Sequence, residues 1–210
     1  MKNTADHLFY HIHPYRGLAS FNFRHDAVAD LESYAAGYHR AAKVLAARMR
    51  RAVKSLHYDG FPVLFLYRHA LELYLKAAVH LGSKLVMLRG DKEPNLEWLL
   101  NGHDLQRCVS ELKRILTALG WLEGFRQRGA PGFAAFENLV AEVSKLDAGS
   151  FAFRYPVNTR GRRVFSRTRS VNVLNFAKML NPFLDLLDTG LLAMNAEIDQ
   201  RLDPELYGVA

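Results

Sequence analysis

The sequence predicts an all-α protein, a bundle of four to five core helices with a small basic hairpin or loop near residues 150–169. Three observations carry that expectation. Apolar residues recur at spacings of three and four over long stretches, the period of a helix that buries one face. Turn-forming residues punctuate those stretches at intervals that suit helix ends. Period-two alternation is confined to one place, Phe151, Phe153, Tyr155 and Val157.

The first helix is expected from about 26 to 56, with Val28, Leu31, Ala35, Tyr38, Ala42, Leu45 and Met49 on its apolar stripe and Gly37 as a soft point. Asp59-Gly60 breaks the chain. Pro62 suits the first turn of a second helix, whose apolar run to Leu81 is closed by Gly82 as a left-handed cap. That helix is apolar around most of its circumference, so it should lie centrally. Residues 83–102 carry Gly90, Asp91, Pro94 and Asn95 and read as a connection with one short turn near 96–100.

Asp104 is placed to cap a third helix over 104–119, striped by Leu105, Val109, Leu112, Ile115, Leu116 and Leu119 and closed by Gly120. A fourth follows the Pro131-Gly132 break, over 133–146. Asn158-Thr159-Arg160-Gly161 is turn chemistry inside the alternating segment. The last helix is expected over 171–202, either kinked by Pro182 or split after Asn181.

With 210 residues, half of them hydrophobic, the chain is long enough for one substantial core and is read as a single domain, 1–210, with its core about 61–202. A lone cysteine, Cys108, excludes an intramolecular disulfide framework and a cysteine-based zinc site. Together with a polar stretch from Met1 to His13 where a secretory signal would need an apolar run, it points to the cytoplasm. The most hydrophobic window, 61–81, is interrupted by Arg68, His69, Glu72, Lys76 and His80, so no membrane span is expected. His7, His11 and His13 have only Asp6 as a companion ligand, and no metal site is assigned to them. Phosphate loops, serine elbows, paired zinc histidines and dinucleotide fingerprints are all absent, so no cofactor is expected. The excess of 28 basic over 21 acidic side chains, a net +7, favours a polyanionic partner or serves solubility.

Polar side chains set into apolar sequence mark the candidate sites, because a polar group that loses water without gaining a partner costs about 1–3 kcal/mol. Arg68, Glu72 and Lys76 fall four apart on the second helix, either as a solvated ion ladder or as a stripe that faces a cleft. In the cleft reading Glu72 steadies Arg68 for a phosphate, with His69 beside it. His103, just before the Asp104 cap, sits where amides and the helix dipole attract anions, or else satisfies a loop carbonyl or Glu72. Arg154 and Tyr155, held extended by Pro156, offer a guanidinium and a phenol to a nucleotide; the alternative is a staple from Arg154 to Asp147 or Glu72. Arg160, Arg162, Arg163, Arg167 and Arg169, interleaved with Phe165, suit a phosphodiester chain or form a solvated basic loop.

In this order, Arg68-His69-Ala70-Leu71-Glu72-Leu73-Tyr74-Leu75-Lys76, Gly102-His103-Asp104-Leu105 and Phe153-Arg154-Tyr155-Pro156 before a last helix resemble the HEPN superfamily over about 61–202. The resemblance implies a helical bundle, a homodimer, and RNA binding or RNA cleavage within toxin, antiphage-defence or stress systems, with a protein partner among the options. Catalytic members carry an arginine followed four to six residues later by a histidine near the last core helix. No histidine follows Arg154 here, and the spacing match from Arg50 or Arg51 to His57 precedes the Glu72 helix. The expectation is therefore an RNA- or nucleotide-binding protein. The alternatives are a metal-independent endoribonuclease, with His103, Arg68 and Arg154 as its candidate catalytic residues, and a structural dimerisation module.

Overall fold

The computed structural model describes residues 27–52, 57–92, 95–126, 131–147, 149–158 and 160–203. Among them are six α-helices and no strand: α1 (Ala27–Arg51), α2 (Gly60–Leu88), α3 (Glu97–Asn101), α4 (Leu105–Leu119), α5 (Phe133–Leu146) and α6 (Val173–Leu202). Short 3-10 turns at His57–Asp59 and Leu122–Arg126 lead into α2 and follow α4. The all-α expectation holds. The N-terminal histidines His7, His11 and His13 lie outside the described residues.

α2 is the axis of the bundle and packs against α1, α4 and α6. Its near-continuous apolar circumference is the reason: Tyr67, Ala70, Leu71, Leu75 and Val79 each lose essentially all solvent contact, as only a helix surrounded on several sides can arrange. α4 caps as its sequence suggests, with the Asp104 carboxylate accepting the Arg107 amide at 3.0 Å and Gly120 ending it at φ +74°. α6 starts in the same way, Asn172 Oδ1 accepting the Asn175 amide at 2.9 Å.

α1 ends at Arg51 rather than near 56, residues 53–56 lying outside the described residues, and two helix-breaking residues act differently from expectation. α2 does not stop at Gly82 but continues to Leu88, taking in the first residues expected to form a connection. Gly82 is a close-approach residue rather than a cap: a Cβ built there would stand 2.5 Å from Ile115 Cγ2 of α4. The absent side chain lets two helices approach, a demand of tertiary packing that looks like a stop signal in one dimension. α6 neither splits nor stops at Pro182. The carbonyl that loses its amide partner belongs to Lys178, an exposed residue, so the lost bond falls on the solvent-facing side of the helix.

Residues 149–158 and 160–172 form an irregular excursion, with one isolated antiparallel bridge among the described residues, between Val157 and Arg163, in place of a ladder. Asn158 organises its tip: the Oδ1 accepts the amides of Arg160 and Arg162 at 3.0 and 3.1 Å, and its own amide donates to the Arg162 carbonyl at 2.8 Å. Gly161, at φ +69°, closes the turn.

The contrast between two glycines is measurable. Gly37 sits mid-helix with nothing within 4 Å of the place a Cβ would take, so Gly37→Ala is expected to raise the unfolding free energy by up to about 1 kcal/mol. Gly82→Ala is expected to lower it by about 1–3 kcal/mol through overpacking against Ile115. Urea denaturation of the two variants reads both signs.

Candidate functional site

Three of the residues singled out on α2 are buried together. Arg68 is 0% exposed, Glu72 2% and Lys76 5%. The guanidinium is used from three sides: Nη1 donates to Glu72 Oε2, Nη2 to the His103 carbonyl at 3.3 Å, and Nε to the Asp147 carbonyl at 3.4 Å. Asp147 Oδ2 lies 3.5 Å from Nε, a charge contact without a formed hydrogen bond. On the other carboxylate oxygen of Glu72, Lys76 Nζ approaches to 3.0 Å and His103 Nδ1 to 2.7 Å.

The stripe is therefore neither a solvated ladder nor the lining of an open cleft. It is an internal charge cluster that ties α2 to the start of α4 and to the end of α5, and it leaves no donor of Arg68 facing solvent for a phosphate. Burial by itself would raise the Glu72 carboxyl. The Arg68 charge and the bonds from His103, Lys76 and Arg68 overcome that and hold it at about 2. Cys108, buried nearby on α4, has its thiol pushed up to about 12 by burial and is chemically quiet.

His103 is the member of this cluster that reaches the surface, with its side chain 54% exposed. The carboxylate it meets is ionised and can only accept, so Nδ1 is the ring nitrogen that donates, which makes Nε2 the acceptor in the neutral tautomer. With Lys145, Gln106 and Ser144 it lines a recess of about 430 Å³. His69 is half-buried, stacked on Phe65 at 5.4 Å and edge-on to Tyr38 at 4.6 Å. Burial holds its imidazole below the ordinary value, while Glu72, Arg68, Arg154 and His103 all act on its charge.

Asp147 also builds the turn that follows it. Its Oδ1 accepts the amides of Phe151 and Ala152 at 2.8 and 3.0 Å, and Ser150 takes φ +60°. Arg154, in this turn, is bound through Nε to the Ser150 carbonyl at 2.6 Å rather than to Asp147 or Glu72. Its guanidinium stands 5.5–5.7 Å from the ring centres of Phe65, Phe151 and Tyr155. Arg68 and His103 thus meet at Glu72, whereas Arg154 is joined to them through the Asp147 turn and through Phe65 of α2, with its side chain exposed.

Arg160, Arg162, Arg163, Arg167 and Arg169 are all exposed, and among the described residues none forms a salt bridge. Between this excursion and the start of α2 lies a groove of about 680 Å³ that includes Phe61, Phe153, Phe165, Arg167 and Arg169.

A second polar seam was not foreseen from the sequence. Between α1, α2 and α6, Asn181 Oδ1 accepts from Tyr67 at 3.0 Å and meets His39 Nε2 at 2.9 Å; Tyr74 donates to Asp188 at 2.9 Å, and Lys43 to Asp185 at 2.5 Å. The signal was present in the spacing of Asn181, Asp185 and Asp188, which share one face of a helix.

Among the described residues no cluster of histidine, cysteine and carboxylate could hold a metal, and no helix is long and apolar enough to cross a membrane. No family model, curated protein or solved structure matches this chain.

The internal cluster has a pH signature. A carboxyl held at about 2 when folded and near its ordinary value of 4.5 when unfolded stabilises the fold above pH 4.5, and that contribution is lost as pH falls through about 2. The difference corresponds to roughly 3 kcal/mol. Glu72→Gln is expected to flatten stability against pH in this window and, by leaving buried Arg68 with only the 3.5 Å charge contact to Asp147, to destabilise the protein by about 3–5 kcal/mol at neutral pH. Denaturant titrations from acid to neutral pH test both effects.

Proposed function

We propose that the chain binds RNA, or a nucleotide portion of it, through the basic excursion 149–172. The observation that carries this reading is a set of arginines that point into solvent from a backbone braced by its own turn bonds, with no carboxylate paired to them among the described residues. A structural role would spend those charges on partners. Each phosphate they neutralise releases bound counterions, which makes the affinity fall with salt. Arg154 and Tyr155, exposed on the same excursion, extend the cationic and stacking surface toward His69 and His103. In keeping with the HEPN resemblance, the protein is proposed to act in the cytoplasm as a homodimer, within a toxin, antiphage-defence or stress system.

The test is a salt series with a labelled RNA. The reading expects log affinity to fall linearly with log salt, and Arg160→Ala, Arg162→Ala and Arg163→Ala combined to make the slope shallower by about 2. A slope unchanged by the three substitutions contradicts it.

A second reading, metal-independent endoribonuclease, is favoured by one observation, the His103–Glu72 pair. A ring fixed through Nδ1 on an ionised carboxylate presents Nε2 as a base. In that chemistry Nε2 takes the ribose 2′-hydroxyl proton, the 2′-oxygen attacks phosphorus and the 5′-oxygen leaves, giving a 2′,3′-cyclic phosphate. Lys145, in the same recess, would offset the charge on phosphorus. This reading expects cleavage of RNA in chelator, a hundredfold or greater loss in His103→Ala by the usual scale of about 10²–10⁴ for general-base removal, and resistance of DNA. Intact RNA after prolonged incubation with the wild-type protein excludes it and leaves binding alone.

A further inference from the structure

The groove between the basic excursion and the start of α2 brings aromatic rings and cations together at the surface. Phe61 stands 53% exposed at its edge, a large ring that the bundle does not use. Phe165 faces the same space and carries the Arg169 guanidinium 5.6 Å from its ring centre, while Phe153, only 7% exposed, closes the floor. Arg167, Arg169 and Thr168 form the rim, and among the described residues no carboxylate lines it.

We propose that this groove receives one unpaired nucleobase, so that the chain takes single-stranded RNA in preference to duplex. The proposal rests on the RNA-binding reading above and adds to it the form of RNA that is bound. A volume of about 680 Å³ lies inside the range of about 300–1,000 Å³ usual for pockets that enclose a small ligand, and is far too small for a double helix. Aromatic rings offer a face to any base, but only a base that has left its stack has a free face to give. The rim then places positive charge where the phosphates on either side of that base must pass, and the Thr168 hydroxyl is available to its polar edge. An apolar peptide segment would satisfy the rings and leave the two guanidinium groups without counter-charge, so the charge pattern selects the nucleotide. Gly60 lines the same groove and has no room for a side chain, a Cβ there standing 2.9 Å from Val173 Cγ2; the start of α2 is thereby held close against α6 with Phe61 directed outward.

Fluorescence anisotropy with a short labelled RNA, free and annealed to its complement, tests the assignment at one low salt concentration. The single strand is expected to bind roughly tenfold more tightly than the duplex, the scale of one stacked base. Phe61→Ala should bring the single-strand affinity down to the duplex value and leave the duplex unchanged, whereas Phe61→Trp should retain the preference. Phe61 is mostly solvent-exposed, and circular dichroism of both variants verifies that the bundle is intact. Equal binding of the two RNA forms, or a Phe61→Ala variant with unchanged preference, overturns the groove while the RNA reading stands. Absence of binding by either form overturns that reading and the groove with it.

Discussion

A guanidinium with no water around it has to find its partners inside the protein, and Arg68 finds them on three separate chain segments: Glu72 on its own helix, the His103 carbonyl before α4 and Asp147 after α5. This is the constraint on which the remaining architecture turns. Apolar burial assembles α1, α2, α4 and α6 but is non-directional and would tolerate several relative placements of the α4 start and the α5 end. A fully buried ion pair with shared hydrogen bonds tolerates one, because any misplacement leaves a charge without a partner in a medium that cannot solvate it. The cluster thus converts a greasy packing into a defined one.

Its effect reaches the surface through two outlets. On one side Glu72 fixes the tautomer and direction of His103, setting an imidazole nitrogen at the mouth of a recess. On the other, Asp147 spends one carboxylate oxygen on Arg68 and the other on the amides of Phe151 and Ala152, which shapes the turn carrying Arg154 and leads the chain into its arginine-rich excursion. Interior charge and exterior charge are therefore consecutive links of one chain of contacts. Glu72 and Asp147 are both committed inside the protein, and among the described residues the exposed arginines of the excursion have no carboxylate paired to them.

Periodicity and capping chemistry made most of the fold legible: α4 and α5 lie where their stripes and breaks put them, and α1 and α6 differ only at their ends. What escaped was tertiary. Gly82 and Pro182 read as punctuation in one dimension, but a glycine needed for helix approach and a proline on a solvent-facing turn leave a helix intact. The candidate residues were recognisable as a group because arginine, glutamate and lysine at four-residue spacing are out of place on an otherwise apolar helix. Whether such a stripe faces water, a cleft or the interior depends on what packs over it, and that information sits in Asp147 and the His103 carbonyl, distant in sequence and unremarkable in composition. The aromatic groove escaped for a related reason, since Phe61 and Phe165 are about a hundred residues apart and line one groove only in the folded chain, where Gly60 lies close against Val173 of α6.

The most direct measurement is native-state hydrogen exchange at the amides of Phe151 and Ala152, in the wild-type protein and in Arg68→Lys, which keeps the charge and loses the planar fork. If the buried cluster organises the excursion, both amides are strongly protected in the wild type, and the substitution releases them well before the core of α2. Free exchange of these two amides in the wild type, or protection unaltered by the substitution, would contradict the dependence of the basic surface on Arg68.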